Sequence, residues 1–490
     1  MLYYLAKELT PEFGFLNIFS YHTVRAAGAL FTGFLLSLIL GPKLINYLRA
    51  LKIGQIIKKD HVDDLHALHK EKAGTPTMGG VLIIVTTTIS LLLWSRFTDR
   101  LLLVALGMLL LLGAVGFLDD FIKLRRKHND GLSARAKFSG QILAGALLGA
   151  YVMAYPITYG ASYLKENDVA DWDGRLTAFR DESGSDPSTR LGKFGSALTP
   201  ELRDDLANAP SDPETRIALL DELNLVMERR GLYDEALWRD SSLNGESHAM
   251  LAKGLDSLSD RHLLRFNRLL FEAAAPSLVV KSIRNLQTKV AVPGFKDTMI
   301  PMGLFYIAFV TLIIVATSNT VNLTDGLDGL AVGASVVSLS AFTAIAYIVS
   351  RADWSSYLFL TYIPEASELT VFGSALLGTG LGFLWYNAHP AELFMGDTGS
   401  LALGGAMGTL AVLTKQELLL PIVGGLFVLE GLSVILQVGS YKLRGKRIFK
   451  MAPLHHHFEL MGWSESKVTI RFWILAFMFA LLSLATLKLR

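Results

Sequence analysis

The stretch LLLVALGMLLLLGAVGFLDD, residues 101–120, decides the fold class of this chain of 490 residues. Its first eighteen residues carry no charge, and its last two are Asp119 and Asp120. A helix needs roughly 17 to 25 mostly apolar residues to cross the hydrocarbon core of a bilayer. The stretch therefore predicts a membrane-spanning helix that ends in two carboxylates at the water boundary.

Apolar runs of similar length recur along the chain and together predict about ten transmembrane helices. Besides 101–118, the runs cover residues 26–41, 76–95, 138–159, 299–318, 330–350, 369–387, 399–414, 418–439 and 472–487. Hydrophobic residues make up 51% of the chain, charged residues 18%, and the mean hydropathy is +0.40. This composition excludes an ordinary soluble enzyme and predicts an all-α polytopic membrane protein.

Residues 161–297 form a polar, acidic segment within this apolar chain. They contain 23 acidic and 18 basic residues, so this segment is negatively charged. The rest of the chain must carry a positive excess, because the net charge of the whole chain is +2. Thr199 and Asp212 each precede a Pro-Glu pair, which is a typical helix start. We therefore predict three parts: residues 1–160 with four membrane helices, a small helical soluble insert at 161–297, and residues 298–490 with six more.

The distribution of Lys and Arg predicts the orientation in the membrane. Loops 43–72, 119–137 and 441–471 hold twenty such residues, whereas the opposite short loops hold only Arg96, Arg100, Arg351 and Lys415. By the positive-inside rule the basic loops are cytoplasmic, and the insert and both termini face outward. Because the basic residues are spread as topology requires, the lipid bilayer is an expected partner and nucleic acid is not.

Five carboxylates lie at the predicted cytoplasmic ends of helices. Asp119 and Asp120 end the third helix, Asp325 and Asp328 lie in NLTDGLDG, and Asp397 lies in FMGDTGS. Acidic residues are unfavourable there unless they are paired, hydrated or bound to metal. Because Mg²⁺ prefers oxygen ligands and neutralises charge in phosphoryl transfer, their clustering predicts a site for a divalent metal and phosphate.

Each carboxylate motif also has a structural interpretation. The Asp pair could be a solvated helix end, the Asp-Gly dipeptides could form turns, and Asp397 could cap a helix. The spacing of Asp325 and Asp328 predicts that both lie on one helical face, and Lys123 is one turn from the Asp pair, within reach of a phosphate. The three motifs on one side of the membrane together favour chemistry.

Other polar residues in these loops offer contacts to a substrate. The tract MAPLHHHFEL carries His455, His456 and His457, which as neighbours cannot all face one ion, so hydrogen bonding to an anionic substrate is preferred to zinc. Phe394 could stack on a nucleobase. Whether Glu430 and Gln437, two turns apart, form buried structural bonds or line the site is open.

The motifs GTPTMGG, GFLDD, NLTDGLDGLA, GLGFLWYN, FMGDTGSLALGG and RIFKMAPLHHHFELMGW resemble those of the polyprenyl-phosphate N-acetylhexosamine-1-phosphate transferase superfamily. The resemblance covers residues 19–159 and 295–490. The tract MAPLHHHFE points to the MraY branch, the phospho-N-acetylmuramoyl-pentapeptide transferases, over the GlcNAc-phosphate branch. The insert departs from this family pattern.

The resemblance implies a multi-pass protein of the bacterial inner membrane with a cytoplasmic active site and both termini in the periplasm. The implied reaction is Mg²⁺-dependent transfer of phospho-MurNAc-pentapeptide from its UDP carrier to undecaprenyl phosphate, which gives lipid I and UMP for peptidoglycan synthesis. A homodimer is expected, and so is a periplasmic partner of the insert. The alternatives are a GlcNAc-1-phosphate transferase, a transporter that uses intramembrane carboxylates, and a scaffold.

The resemblance also implies residue roles. Asp397 would ligate Mg²⁺, and Asp119, with Asp120 beside it, would act on the lipid phosphate as base or nucleophile. We favour direct attack by the lipid phosphate, because that group is already largely ionised near neutral pH. The residues implied to bind substrate are Lys123, Asn322, Asp325, Asp328, Asn387, Phe394, Gln437, His455, His456 and His457.

Overall fold

The computed structural model describes residues 1–51, 74–126, 131–155, 287–295, 298–358, 360–361 and 363–488. The chain divides into two compact units, of which the first comprises Met1–Ile157 and Gln287–Arg490 and the second comprises Thr158–Leu286. All described residues belong to the first unit. The helices predicted within the insert therefore lie outside the described residues.

The described part of the first unit is built mainly from helices. In chain order they are α1 (Leu2–Leu9), α2 (His22–Ala50), α3 (Gly80–Trp94), α4 (Arg100–Arg126), α5 (Ala134–Ala154), α6 (Phe305–Thr324), α7 (Leu330–Val349), α8 (Ala352–Tyr357), α9 (Ser367–Asn387), α10 (Gly396–Leu413), α11 (Leu420–Val423), α12 (Gly425–Arg444), α13 (Leu454–Glu459) and α14 (Glu465–Thr486). Short 3₁₀ turns cover Gly14–Ser20, Pro364–Ala366 and Glu417–Leu419.

The predicted fold class, an all-α polytopic membrane protein, is confirmed. Seven of the described helices, namely α2, α4, α6, α7, α9, α12 and α14, are long and apolar enough to cross a membrane. A shorter apolar helix, α3, and the helices α5 and α10 correspond to the other three predicted runs. With 27 residues, α4 is about 40 Å long, so its two ends can lie at opposite membrane boundaries.

Helix α10 is buried along its length and fixes the position of the site at its beginning. Every residue from Thr398 to Leu413 is buried. Its glycines allow close packing, since a Cβ atom on Gly404 would lie 2.5 Å from the Thr317 carbonyl oxygen of α6. Small residues permit such approach in membranes, where apolar burial alone does not drive helix association. In the first turn, a Cβ atom on Gly399 would lie 2.8 Å from the Gly80 Cα atom of α3, so this turn is also held by packed neighbours.

A short hairpin precedes α6 and corrects the predicted start of the fifth membrane helix. Strands β1 (Lys289–Ala291) and β2 (Met299–Pro301) pair antiparallel, with Val290 opposite Ile300. The apolar run at 299–318 predicted a helix from 299, but its first residues pair with β1 and the helix begins at Phe305. Gly303, with φ of +53°, makes the turn between them.

Two further boundaries differ from the hydropathy pattern. The run at 418–439 is split, because Glu417–Leu419 and α11 form short turns before α12 begins at Gly425. The last helix begins at Glu465, seven residues before the apolar run, because polar residues near a membrane helix end extend into the interface. Helix α1, which hydropathy did not predict, places the Met1 amine 2.6 Å from the Leu92 carbonyl oxygen.

Candidate active site

Three carboxylates from two helices meet at one end of the helix bundle. Asp119 and Asp120 lie near the end of α4, and Asp397 lies in the first turn of α10. One oxygen of each carboxylate lies within 4.8 Å of the others. We call Asp119, Asp120 and Asp397 the aspartate cluster. The structure therefore brings together the two motifs GFLDD and FMGDTGS, as the sequence predicted.

Asp120 binds the beginning of α10. Its Oδ2 accepts hydrogen bonds from the Thr398 amide at 2.9 Å and the Thr398 hydroxyl at 2.7 Å, and its Oδ1 accepts one from the Asp397 amide at 3.3 Å. Gly396, with φ of +70°, lies so close that a Cβ there would be 2.7 Å from Asp120 Oδ2. Because free amides at a helix start attract negative charge, Asp120 fixes the position of Asp397.

Asp397 is held between two lysines. Its Oδ2 accepts hydrogen bonds from Lys123 Nζ at 2.7 Å and from Lys137 Nζ at 2.8 Å. Lys123 lies one turn beyond the Asp pair on α4, whereas Lys137 lies near the start of α5. Lys137 was not among the predicted site residues, because nothing in the stretch ARAKF distinguishes it from a lysine that only sets the topology. Its contact with Asp397 adds α5 to the site.

Asp119 completes the cluster and connects it to the chain before α5. Its Oδ2 is 2.5 Å from Lys123 Nζ, and its Oδ1 accepts a hydrogen bond from the Leu132 amide at 2.8 Å. A Cβ on Gly131 would lie 2.5 Å from Asp119 Oδ1, so this approach requires glycine. The contacts leave Asp119 oriented toward Lys123 and the other two carboxylates.

The charges of this cluster favour a divalent cation. Three carboxylates face two lysines, Lys123 and Lys137, which leaves one negative charge in excess when all are ionised. Asp119 and Asp120 are also buried, where an uncompensated charge is unfavourable. Clustered carboxylate oxygens are the donors that a hard cation such as Mg²⁺ prefers, so these residues fit such an ion.

Asp325 lies beside the aspartate cluster, at the end of α6. Its own amide donates to the Asn322 carbonyl oxygen at 3.2 Å. Burial, together with the nearby charges of Asp397 and Asp120, raises the pKa of Asp325 to about 8, although the nearby Gly396 amide opposes the shift. Asn322 and Asp325, both predicted to bind substrate, therefore lie together at the end of α6, and Asp325 is beside the aspartate cluster.

Asp328 belongs to a separate group of polar residues. Its Oδ2 lies 3.0 Å from His389 Nδ1 and accepts a hydrogen bond from the Ala391 amide at 3.1 Å. Its amide donates to Glu465 at 2.6 Å. The prediction that Asp325 and Asp328 share a helical face is wrong, because α6 ends at Thr324 and both residues lie in a turn. His389 and Glu465, which the sequence analysis missed, become neighbours of Asp328 only through folding.

Asn387 and Phe394 hold together the loops around the site. Asn387 accepts a hydrogen bond from the Gly329 amide at 3.1 Å and donates to the Leu393 carbonyl at 2.9 Å. The Phe394 amide donates to Pro76 at 2.9 Å, and its ring is half-buried. The amide of Asn387, predicted to contact substrate, is thus bonded to main chain at both ends.

Gln437 binds the loop that follows α12. Its Oε1 accepts hydrogen bonds from the Ile448 and Phe449 amides at 2.9 Å and 3.0 Å, and its Nε2 donates to the Phe449 carbonyl at 2.9 Å. Of the two alternatives for Gln437, the structure shows structural hydrogen bonds, made to the main chain of this loop.

The three histidines face three different partners. His455 Nδ1 is 3.2 Å from Glu430 Oε2, His456 Nδ1 is 2.8 Å from Glu459 Oε2, and His457 Nδ1 accepts a hydrogen bond from the Lys450 amide at 3.1 Å. His455 and Glu430 are fully buried. Consecutive positions on α13 point in different directions, which agrees with the expectation that these rings do not share one ion.

Comparisons with known proteins give one consistent result. A family model described as glycosyl transferase family 4 matches residues 250–415, and a phospho-N-acetylmuramoyl-pentapeptide-transferase signature matches residues 72–84. The phospho-N-acetylmuramoyl-pentapeptide-transferase of Koribacter versatilis is 38% identical over 494 residues, and that of Desulforapulum autotrophicum is 37% identical over 491 residues. Both alignments cover 100% of each chain. Within the signature, the Gly80 amide donates to the Met395 carbonyl at 2.9 Å, next to the aspartate cluster.

Proposed function

Because the chain belongs to the phospho-N-acetylmuramoyl-pentapeptide-transferase family, we propose that the aspartate cluster is the active site of that transfer. The protein is a membrane transferase of peptidoglycan synthesis. The observation that carries the proposal is the meeting of Asp119, Asp120 and Asp397 with two lysines at one end of the bundle. Such a site can bind both a cation and phosphate groups.

The proposed substrates are UDP-MurNAc-pentapeptide and undecaprenyl phosphate. An oxygen of the lipid phosphate attacks the phosphorus that is bonded to the sugar, the bond from that phosphorus to the bridging oxygen breaks, and UMP leaves with the electron pair. The product is lipid I, undecaprenyl diphosphate carrying MurNAc-pentapeptide. This step gathers several negative charges in one place, so catalysis depends on neutralising and aligning them.

Asp397 is the proposed metal ligand, with Mg²⁺ as the ion, and Asp119 is a second candidate ligand. When bound, the ion would supply charge neutralisation at the phosphates. Asp120 acts through the main chain, because its bonds to Thr398 and Asp397 orient the first turn of α10. Lys123 and Lys137 are placed to exchange their contact with Asp397 for one with phosphate oxygens.

We propose direct attack by the lipid phosphate, with Asp119 as an orienting group. Its carboxylate is occupied by Lys123 and the Leu132 amide, which supports a fixed electrostatic role better than that of a free nucleophile. Recovery of protein phosphorylated at Asp119, from a reaction quenched before lipid acceptor is added, would contradict this mechanism.

The nucleotide is proposed to bind beside the aspartate cluster, along the loops at 322–329 and 387–397. Phe394 would stack on uracil, with Asn322, Asp325 and Asp328 on the polar wall and His456 and His457 near the sugar and peptide. Asn387, Gln437 and His455 would act mainly by holding these loops, since their described bonds are to main chain or to Glu430.

The orientation of the protein in the membrane and its assembly with other chains are also proposed here. We propose that the aspartate cluster faces the cytoplasm of a bacterial inner membrane and that both termini and residues 161–297 face the periplasm. We also propose a homodimer and a periplasmic protein partner of the insert. Deleting the insert should leave transferase activity in detergent, whereas complete loss from a folded deletion protein would contradict a non-catalytic role.

The function is tested by supplying UDP-MurNAc-pentapeptide and undecaprenyl phosphate with Mg²⁺ to the purified protein in detergent and measuring UMP. We expect release by the natural chain and none above background by Asp397→Asn, with Arg444→Gln, an exposed residue at the end of α12, as control. Preference for UDP-GlcNAc would favour the sister branch, and charge-coupled flux in vesicles without UMP release would favour a transporter.

A further inference from the structure

A carboxylate buried within a membrane helix has no role in the transfer described above. Glu430 lies in α12 and is fully buried, as is His455, whose Nδ1 lies 3.2 Å from Glu430 Oε2. The two residues are 25 positions apart, so the contact ties α13 to α12. An ionisable residue inside a membrane helix is unfavourable unless it is paired, which marks this pair as functional.

The far side of the His455 ring faces the turn that carries Asp325 and Asp328. A Cβ on Gly326 would collide with His455 Nε2, so only glycine permits the ring to lie on this backbone. The Gly326 amide donates to the Thr324 carbonyl at 2.9 Å and does not bond the ring. His455 therefore supports the turn by direct packing.

The contact with Glu430 uses one ring nitrogen of His455 and leaves the other toward the turn. A carboxylate oxygen accepts a hydrogen bond from Nδ1 when that atom carries the proton, and Nε2 is then the nitrogen that faces Gly326. Both Nε2 and Glu430 Oε1 are buried without a hydrogen-bond partner among the described residues. Buried polar atoms of this kind are rare, which is why the pair calls for a functional explanation.

The turn that His455 supports lies next to the proposed metal site. The Gly329 amide at the end of this turn donates to Asn387 Oδ1 at 3.1 Å, and Asn387 Nδ2 donates to the Leu393 carbonyl at 2.9 Å, in the loop that leads to Gly396 and Asp397. A continuous set of contacts thus runs from Glu430 through His455, the turn and Asn387 to the loop before α10.

We propose that Glu430 is a positioning residue for the transfer, acting through His455. It fixes the ring with Nδ1 protonated, and the ring holds the Asp325–Gly329 turn against the start of α10. This inference rests on the active site proposed above. It predicts that the acceptor oxygen at position 430 matters more than its charge.

The test compares Glu430→Gln, whose amide oxygen still accepts from Nδ1, with Glu430→Leu, which cannot. We expect Glu430→Gln to keep kcat within about 5-fold of the natural chain, and Glu430→Leu to lose about 30-fold or more in kcat with a smaller change in KM, because misplaced groups slow the step itself. Ser433→Ala is the matched control, since it removes a buried hydrogen bond to the Glu430 carbonyl one turn away.

A spectroscopic measurement keeps the inference testable apart from activity. The ¹⁵N signals of His455 in the natural chain should show a protonated Nδ1 and an unprotonated Nε2, and Glu430→Gln should keep this pattern. The reverse pattern, equal kcat losses in both variants, or natural kcat in folded Glu430→Leu would overturn the proposal. If the natural chain released no UMP, the proposed function would fail, and the ¹⁵N signals would still decide whether Glu430 fixes the protonated nitrogen of His455.

Discussion

Two groups of buried charges differ in their balance: one lies between α2 and α9, near the beginning of α4, and the other lies near the end of α4. Near its beginning, Arg25 and Glu368 form an ion pair at 2.6 Å, both are fully buried, and Glu368 also accepts a hydrogen bond from the Arg96 amide at 3.0 Å. Near its end, three carboxylates share two lysines. A matched pair satisfies itself, whereas an excess of negative charge requires a further cation. The comparison separates a structural site from a catalytic one.

The polar group around Asp328 is intermediate in character between the Arg25–Glu368 ion pair and the aspartate cluster. Asp328, His389 and Glu465 also place one ligand atom each within 4.8 Å of one another, but here the His389 imidazole is 3.0 Å from Asp328 and 3.7 Å from Glu465. Proximity of acidic residues alone therefore does not identify the metal site. The lysines and the helix start distinguish the aspartate cluster.

Among the variants that keep Asp397 itself, the largest effect is expected from breaking its anchor. Asp120→Asn places an amide where Oδ2 now accepts two hydrogen bonds from Thr398. We expect kcat to fall roughly 100-fold or more, since a shift of about 1 Å at a reacting centre has that effect. UMP release measures it, with Thr398→Ser as a control that keeps the hydroxyl. Near-natural turnover of Asp120→Asn would show that the anchor is dispensable.

Removing one lysine from the cluster should have a smaller effect. Lys137→Gln leaves Asp397 with Lys123 alone, and we expect kcat to fall about 10-fold to 100-fold because one charge-assisted contact is lost. Lys137→Arg should recover part of the loss, and the control Lys442→Gln, at an exposed residue of α12, should keep the rate of the natural chain. Equal rates for Lys137→Gln and the natural chain would remove Lys137 from the site.

Breaking the matched pair should affect stability and leave turnover nearly unchanged. Arg25→Met leaves the Glu368 carboxylate buried without its partner, which costs about 3–5 kcal/mol. Thermal unfolding in detergent should therefore occur at a lower temperature, while kcat per folded molecule stays within about twofold, as expected away from the reacting centre. Replacing Glu368 by Leu as well should restore much of the loss. A specific fall in kcat would place this pair in the mechanism.

The smallest effect is expected at an exposed ion pair near the same end. Arg100 and Glu365 are 2.9 Å apart, but the Arg100 side chain is 47% exposed. Arg100→Gln should change the free energy of unfolding by less than about 1 kcal/mol, because solvent screens such pairs. The same unfolding measurement checks this, and a loss as large as that of Arg25→Met would show that burial does not explain the difference.

Much of the fold follows from the sequence because each membrane helix must satisfy its own backbone hydrogen bonds, so hydropathy alone marks it. All ten apolar runs correspond to described helices. The hairpin before α6 was missed because the residues at 299–301 are as apolar as a helix start and are recruited by pairing with β1. Helix α1 is too short to give a spanning signal.

The site was predictable only where charge stands out against an apolar background. Asp119, Asp120, Asp397 and Lys123 could be grouped, because their motifs end or begin helices on one side. Lys137 could not, because its side chain reaches Asp397 across 260 positions of sequence. Gln437 was ambiguous for the same reason, since the main-chain groups that it binds come together only when the loop after α12 folds.

The most direct test of the account is binding of Mn²⁺, which carboxylates also coordinate, followed by electron paramagnetic resonance on the purified protein in detergent. The natural chain and Asp328→Asn should each bind one ion at the same affinity, and Asp397→Asn should lose at least about 10-fold in affinity, in keeping with loss of a principal ligand. Undiminished binding by Asp397→Asn, or its loss in Asp328→Asn, would contradict the assignment of the metal to the aspartate cluster.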